Sequence, residues 1–140
     1  MKYIRKYPLS CLTAVAIWVV CLIPRVEVPE AIENLSDKWA HALMYLVFVG
    51  IVWTEYAVKH RSYSWKRLML FGFIAPILMG GLIEIAQATC TGGNRNGDWL
   101  DFIANDIGVA ISCALGSLWL FTTRNRDAAA KKHWSSAGRK

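Results

Sequence analysis

Apolar residues in this chain fall into long blocks rather than short periods. Four largely apolar runs cover residues 9–23, 39–58, 68–88 and 99–121, separated by polar, charged or Gly-rich stretches. The last three are each about 20 residues long, the length that crosses a hydrocarbon core of roughly 30 Å at about 1.5 Å per residue. The first is short for that task. Tyr3, Ile4 and Tyr7 can lengthen it if Arg5 and Lys6 reach back to the head groups. The pattern predicts an all-α protein, a four-transmembrane-helix bundle with helices at about 4–23, 39–58, 67–88 and 99–122. These make one membrane domain over residues 1–123, followed by a basic, mobile cytoplasmic tail at 124–140.

Local signals refine the helices. Pro76, flanked by Gly72, Gly80 and Gly81, predicts a kink in the third. Gly108, Ser112 and Gly116 recur every four residues on the fourth, a small-residue row that favours close helix contact. The first run has the charged start and short apolar core of a signal peptide. However, no small-x-small cleavage site follows it, and Val20 before Cys21 does not fit a lipoprotein signal, so a retained helix is expected.

Composition agrees. The chain is 55% hydrophobic and 19% charged, too apolar for an ordinary soluble domain of this size. Its net charge of +6 lies outside the apolar runs, which suits membrane topology and anionic lipid attraction better than nucleic acid, for which no basic surface is interleaved with exposed aromatics. Basic residues concentrate in the N-terminal arm (Lys2, Arg5, Lys6), in the loop after the second run (Lys59, Arg61, Lys66, Arg67) and in the tail, whereas the other two connections are acidic or nearly neutral. The positive-inside rule then places both termini in the cytoplasm. Trp39 and Trp99 fall at the outer interface. Cys11, Cys21, Cys90 and Cys113 contain no Cys-x-x-Cys, so neither a disulfide framework nor a redox motif is supported.

The candidate chemistry lies at that outer end. Asp37, Lys38 and His41 open the second run, Glu84 and Gln87 close the third, and Asp98, Asp101, Asn105 and Asp106 open the fourth, with Arg95 in the loop between. Ionisable groups at membrane depth cost several kcal/mol and usually mark function. Asp37 and His41 are spaced i, i+4 and share a helix face, continued by Tyr45. Asp98, Asp101 and Asn105 form a stripe that runs on through Gly108 and Ser112. Asp106 points off this stripe. Glu55 with Lys59, at the inner end, reads as a structural pair.

In this order the residues resemble the VanZ-like family of small bacterial membrane proteins. Its pattern is Asp-Lys-x-x-His at a helix start, Glu-x-x-Gln at a later helix end, an Arg in a loop, and Asp, Asn and Gly on a final helix. Here these are Asp37-Lys38-Trp39-Ala40-His41, Glu84-Ile85-Ala86-Gln87, Arg95, Asp98, Asp101, Asn105 and Gly108. The resemblance covers roughly residues 36–116, and the loop before Arg95 departs from the family's usual Pro-Gly turn. It implies a multi-pass envelope protein of the bacterial inner membrane that works near lipid or lipid-linked cell-wall material, in a family named for reduced glycopeptide antibiotic susceptibility. It does not supply a reaction.

Three functions fit these residues. In the first, an outward-facing pocket binds the polar head of a lipid or lipid-linked precursor: Arg95, with Lys38, grips phosphate or carboxylate, His41, Glu84, Gln87, Asp101 and Asn105 fix its orientation, and Asp37 and Asp98 complete the ligand-binding set. In the second, a membrane enzyme uses His41, Glu84 and Asp101 as catalytic acid/base groups on the same substrates. In the third, the polar residues only join helices in a subunit of a larger complex. His41 with carboxylate ligands could hold a divalent ion, but there is no His-x-x-x-His, no second inward His and no Cys pair, so no metal or other cofactor is assigned.

Overall fold

A computed structural model describes residues 2–23, 30–60, 63–90 and 98–137, with side chains placed for 4–23, 37–60, 63–90 and 98–124. The described residues form helices and no strands. In chain order these are α1 (Lys2–Lys6), α2 (Pro8–Leu22), α3 (Glu30–Lys59), α4 (Trp65–Met69), a π-helical turn (Leu70–Ile74), α5 (Ala75–Cys90) and α6 (Trp99–Ala137). Three segments are long and apolar enough to cross a membrane: Asp37–Lys59, Trp65–Cys90 and Trp99–Arg124. Their outer surface is a continuous apolar coat that includes Leu43, Val47, Leu78, Leu82, Ile107 and Leu118, each more than half exposed. Such a coat is stable in lipid and not in water.

The first helix differs from the expected single span. Tyr7 leaves the helical region (φ −131°, ψ 61°), and α2 restarts at Pro8. The residue before a proline is pushed out of the α conformation by the pyrrolidine ring, which accounts for the break. The 15 residues of α2 are only ~22 Å long at the α-helical rise. At the chain's other end the helix runs on to Ala137, where a mobile tail was expected. Ala128–Ala129–Ala130 and Lys131–Lys132 are strong helix formers that carry α6 past the apolar region. The backbone of α3 likewise starts at Glu30, well before the apolar run.

Close pairs fix the topology. His41 meets Asn105, Gly50 faces Ser112 and Trp53 faces Gly116, so α3 and α6 run parallel. Gly80 lies beside Asn105, and the Cys113 thiol reaches the Gly72 carbonyl, so α5 is antiparallel to α6. Helix α2 runs beside α3 in the opposite sense. Its first turn is tied to Glu55, whose carboxylate accepts the Leu9 and Ser10 backbone N–H groups (3.3 and 2.9 Å) and the Ser10 hydroxyl (2.7 Å). A carboxylate on a neighbouring helix thus caps the free N–H groups and the positive dipole end of α2. Lys59 completes this cluster at 3.5 Å from Glu55, as the i, i+4 spacing predicts.

The small-residue row does the packing expected of it. A methyl group built on Gly108 would fall onto the Ala42 carbonyl of α3, and one on Gly116 or Gly72 would strike the Trp53 ring. Trp53 therefore fills the gap between α6 and the π turn. The irregularity expected at Pro76 appears one turn earlier, at residues 70–74. Proline lacks the N–H that would bond the carbonyl four residues back, which is Gly72. The Cys113 thiol donates to that carbonyl instead, at 3.1 Å.

Replacing Gly108 by Ala should overpack the α3–α6 contact and lower unfolding stability in detergent micelles by about 1–3 kcal/mol. Ala110→Leu, at an exposed position of the same helix, should change little. Equal stability of Gly108→Ala and wild type would contradict the close approach.

Candidate functional site

The polar end of the bundle is built from the end of α5, the start of α6 and the stretch of α3 around Asp37–His41, which lies inside that helix rather than at its start. Asp98 caps α6: its Oδ1 accepts the Leu100 N–H (2.9 Å), and its carbonyl accepts the N–H groups of Asp101 (3.0 Å) and Phe102 (3.3 Å). The Asp98 N–H donates to Glu84 Oε2 at 3.0 Å, which ties the end of α5 to the start of α6. Lys38, at the start of the apolar part of α3, pairs with Asp98 Oδ2 (3.4 Å) and lies 3.9 Å from Asp101 Oδ1. It thereby bridges α3 and the start of α6.

His41 is the centre of the cluster and is 1% exposed. Its Nδ1 lies 3.1 Å from Asn105 Oδ1, an acceptor, so Nδ1 carries the proton. Its Nε2 lies 3.9 Å from Asp37 Oδ2 and 3.9 Å from Asp101 Oδ2. Asp37 and Asp101 thus face the same ring nitrogen from two helices. The helical spacings read from the sequence therefore converge: Asp37 and His41 share one face of α3, and Asp101 and Asn105 meet it from α6. Glu84 is close enough for the charges of Asp37, Asp98 and Asp101 to act on it.

Gln87, expected as a ligand-orienting residue, donates to the Cys21 carbonyl at 2.9 Å and so fastens the end of α2 to α5. Arg95 lies outside the described residues. Asp106, off the main stripe, is half-buried.

One feature was not legible as chemistry. Tyr45 Oη, Glu84 Oε1, Asn105 Nδ2 and Asp106 Oδ1 are sealed from the surface and have no hydrogen-bond partner among the described residues. Tyr45 Oη and Asn105 Nδ2 both border Gly80, where an added Cβ would lie 3.4 Å from each. A donor or acceptor left unpaired in a buried place costs about 1–3 kcal/mol, and four at one end of one bundle mark a functional place. The available signals were that Tyr45 lies one turn below His41 and Gly80 one turn before Glu84.

The described residues here include four carboxylates (Asp37, Asp98, Asp101, Glu84) against one ammonium (Lys38) and one imidazole (His41). Such a group can hold a cation, pass a proton between carboxylate and imidazole, or accept hydrogen bonds from hydroxyl and amine groups.

No family model, curated protein or solved structure matches the chain. The geometry of the site is therefore what carries a functional reading.

Glu84→Ala should strand the Asp98 N–H and destabilise the fold by about 1–3 kcal/mol. Glu84→Gln keeps an acceptor oxygen and should lose less. Thermal unfolding of the purified variants checks the difference, and equal losses would show that the bond to Asp98 contributes nothing.

Proposed function

We propose that this is a polytopic protein of the bacterial inner membrane that binds the polar head of a lipid or lipid-linked envelope precursor at the His41 end of its bundle. The carrying observation is the set of orphaned polar atoms on Tyr45, Glu84, Asn105 and Asp106, gathered toward one end of the bundle. A head group offers both donors and acceptors to such atoms, while its acyl chains lie along the exposed apolar coat. Trp39 and Trp99, 65% and 72% exposed beside the cluster, suit an interfacial position.

In this reading α1 and α2 act as a fourth span. Support comes from the two ends of α2, which are fastened to Glu55 at one end of α3 and to Gln87 at the polar end of the bundle. Both termini are then cytoplasmic, in line with the basic arm, loop and tail, and the pocket faces outward. The resemblance to VanZ-like proteins fits the same reading and suggests an envelope role that bears on glycopeptide susceptibility. In this reading Arg95, in the connection between α5 and α6, supplies the grip on phosphate or carboxylate, with Lys38 as a second cation.

The catalytic alternative has one specific observation in its favour: Asp101, His41 and Asn105 stand in line, with a carboxylate facing one ring nitrogen and an amide oxygen holding the other. That arrangement orients an imidazole for proton transfer.

Native mass spectrometry of the purified protein with co-purified lipids should reveal a retained phosphate-bearing lipid. Arg95→Ala should weaken its binding about tenfold or more, the loss expected for a charge-assisted hydrogen bond, without a change in melting temperature. Unaltered lipid retention in Arg95→Ala would remove the head-group reading. Turnover of the retained lipid by wild type but not by His41→Gln would favour the enzyme.

A further inference from the structure

We propose that Asp37, His41 and Asp101 form a binding site for one divalent transition-metal ion, with Zn²⁺ and Mn²⁺ the best matched. The inference stands on these three donors and survives if the head-group reading fails.

The three residues each offer a ligand atom within 4.8 Å of the others. His41 Nε2 is 3.9 Å from a carboxylate oxygen on either side. That is too long for a hydrogen bond, which needs about 2.7–3.2 Å. Atoms bonded to one ion at about 2.1 Å stand roughly 3 to 4 Å apart, so the separation suits ligands sharing a metal.

The imidazole is prepared for this role. Asn105 Oδ1 takes the Nδ1 proton at 3.1 Å, which directs the Nε2 lone pair between the two carboxylates. Metal-ligating histidines are oriented in this way, with the second ring nitrogen donating to an oxygen. The ring is 1% exposed, and Nε2 makes no hydrogen bond. Asp101 divides its oxygens: Oδ1 faces Lys38 and Oδ2 faces Nε2. Lys38 thus faces one Asp101 oxygen, and the other is the one turned toward the imidazole.

Access and donor type narrow the choice. Asp101 and His41 side chains are almost wholly buried, whereas the Asp37 side chain is 19% exposed. An ion can therefore enter on the Asp37 side and keep open positions there for water or a ligand oxygen, the arrangement of three-ligand zinc sites. One imidazole nitrogen with two carboxylate oxygens favours Zn²⁺ or Mn²⁺ over Mg²⁺ and Ca²⁺, which prefer all-oxygen shells. A bound dication would also reverse the local sign of charge, so that a phosphate oxygen could complete its coordination.

The competing occupant is a proton shared between Asp37 and Asp101. Titration of chelator-stripped protein in detergent micelles with Zn²⁺ and separately Mn²⁺, followed by calorimetry and by Mn²⁺ electron paramagnetic resonance, separates the two. One equivalent per chain is expected, with Mg²⁺ and Ca²⁺ failing to compete at equal concentration. His41→Ala and Asp101→Asn should abolish stoichiometric binding. Asn105→Ala, which removes only the partner of Nδ1, should weaken it about 10- to 100-fold. If those variants do not fold, the Co²⁺-loaded wild type decides: visible ligand-field bands of a nitrogen/oxygen site support the proposal. Absence of stoichiometric Zn²⁺ and Mn²⁺ binding to wild type, or binding equal in wild type and folded His41→Ala, overturns it and leaves the shared proton.

Discussion

The polar end of this protein exists because α3 and α6 approach closely enough to touch backbones. Gly108 permits that approach by presenting no side chain to the Ala42 carbonyl. His41 precedes Ala42, and Asn105 lies three residues before Gly108, so the contact that brings the backbones together also brings an imidazole against an amide. In lipid, apolar side chains gain little by leaving the bilayer for a helix interface, and close packing with interhelical hydrogen bonds takes over the work of assembly. The Gly108 contact and the His41–Asn105 bond are the two forms of that work at one place.

The bundle uses polar groups differently at its two ends. At the Glu55 end, that carboxylate is fully employed, with Leu9, Ser10 and Lys59 sharing its two oxygens. At the other end, Glu84 uses one oxygen on the Asp98 N–H and leaves the other sealed and unbonded, while Asn105 uses its oxygen on His41 and leaves its amide nitrogen unbonded. A fold that satisfies one buried carboxylate completely and another only by half is not short of means to satisfy it. The half-satisfied end is where a ligand or ion would add stability, and this contrast is what supports the proposed binding role there.

Much of this was legible in the sequence. Block lengths announce the three long apolar helices, and the i, i+4 and i, i+3 spacings put Asp37 beside His41 and Asp101 beside Asn105. The row of Gly108, Ser112 and Gly116 marks a contact face. What sequence could not supply was which helix each face meets. Gln87 and Glu84 share a face by spacing, yet one binds the Cys21 carbonyl of α2 and the other the Asp98 N–H of α6. The break at Tyr7 was readable from Pro8, but the apolar run concealed it. The tail was read from charge alone, although its alanines and lysines favour helix. The unbonded atoms around Gly80 follow only from three helices meeting, which no single-segment pattern encodes.

The central claim is that His41 and Asn105, 64 residues apart, form one buried unit that organises the polar end. A double-mutant cycle with His41→Ala, Asn105→Ala and the combined variant, read by reversible unfolding in micelles, tests it most directly. A coupling energy of about 0.5–3 kcal/mol is predicted for residues in direct contact within one network. Additivity within about 0.3 kcal/mol, the behaviour of distant independent sites, would contradict the account.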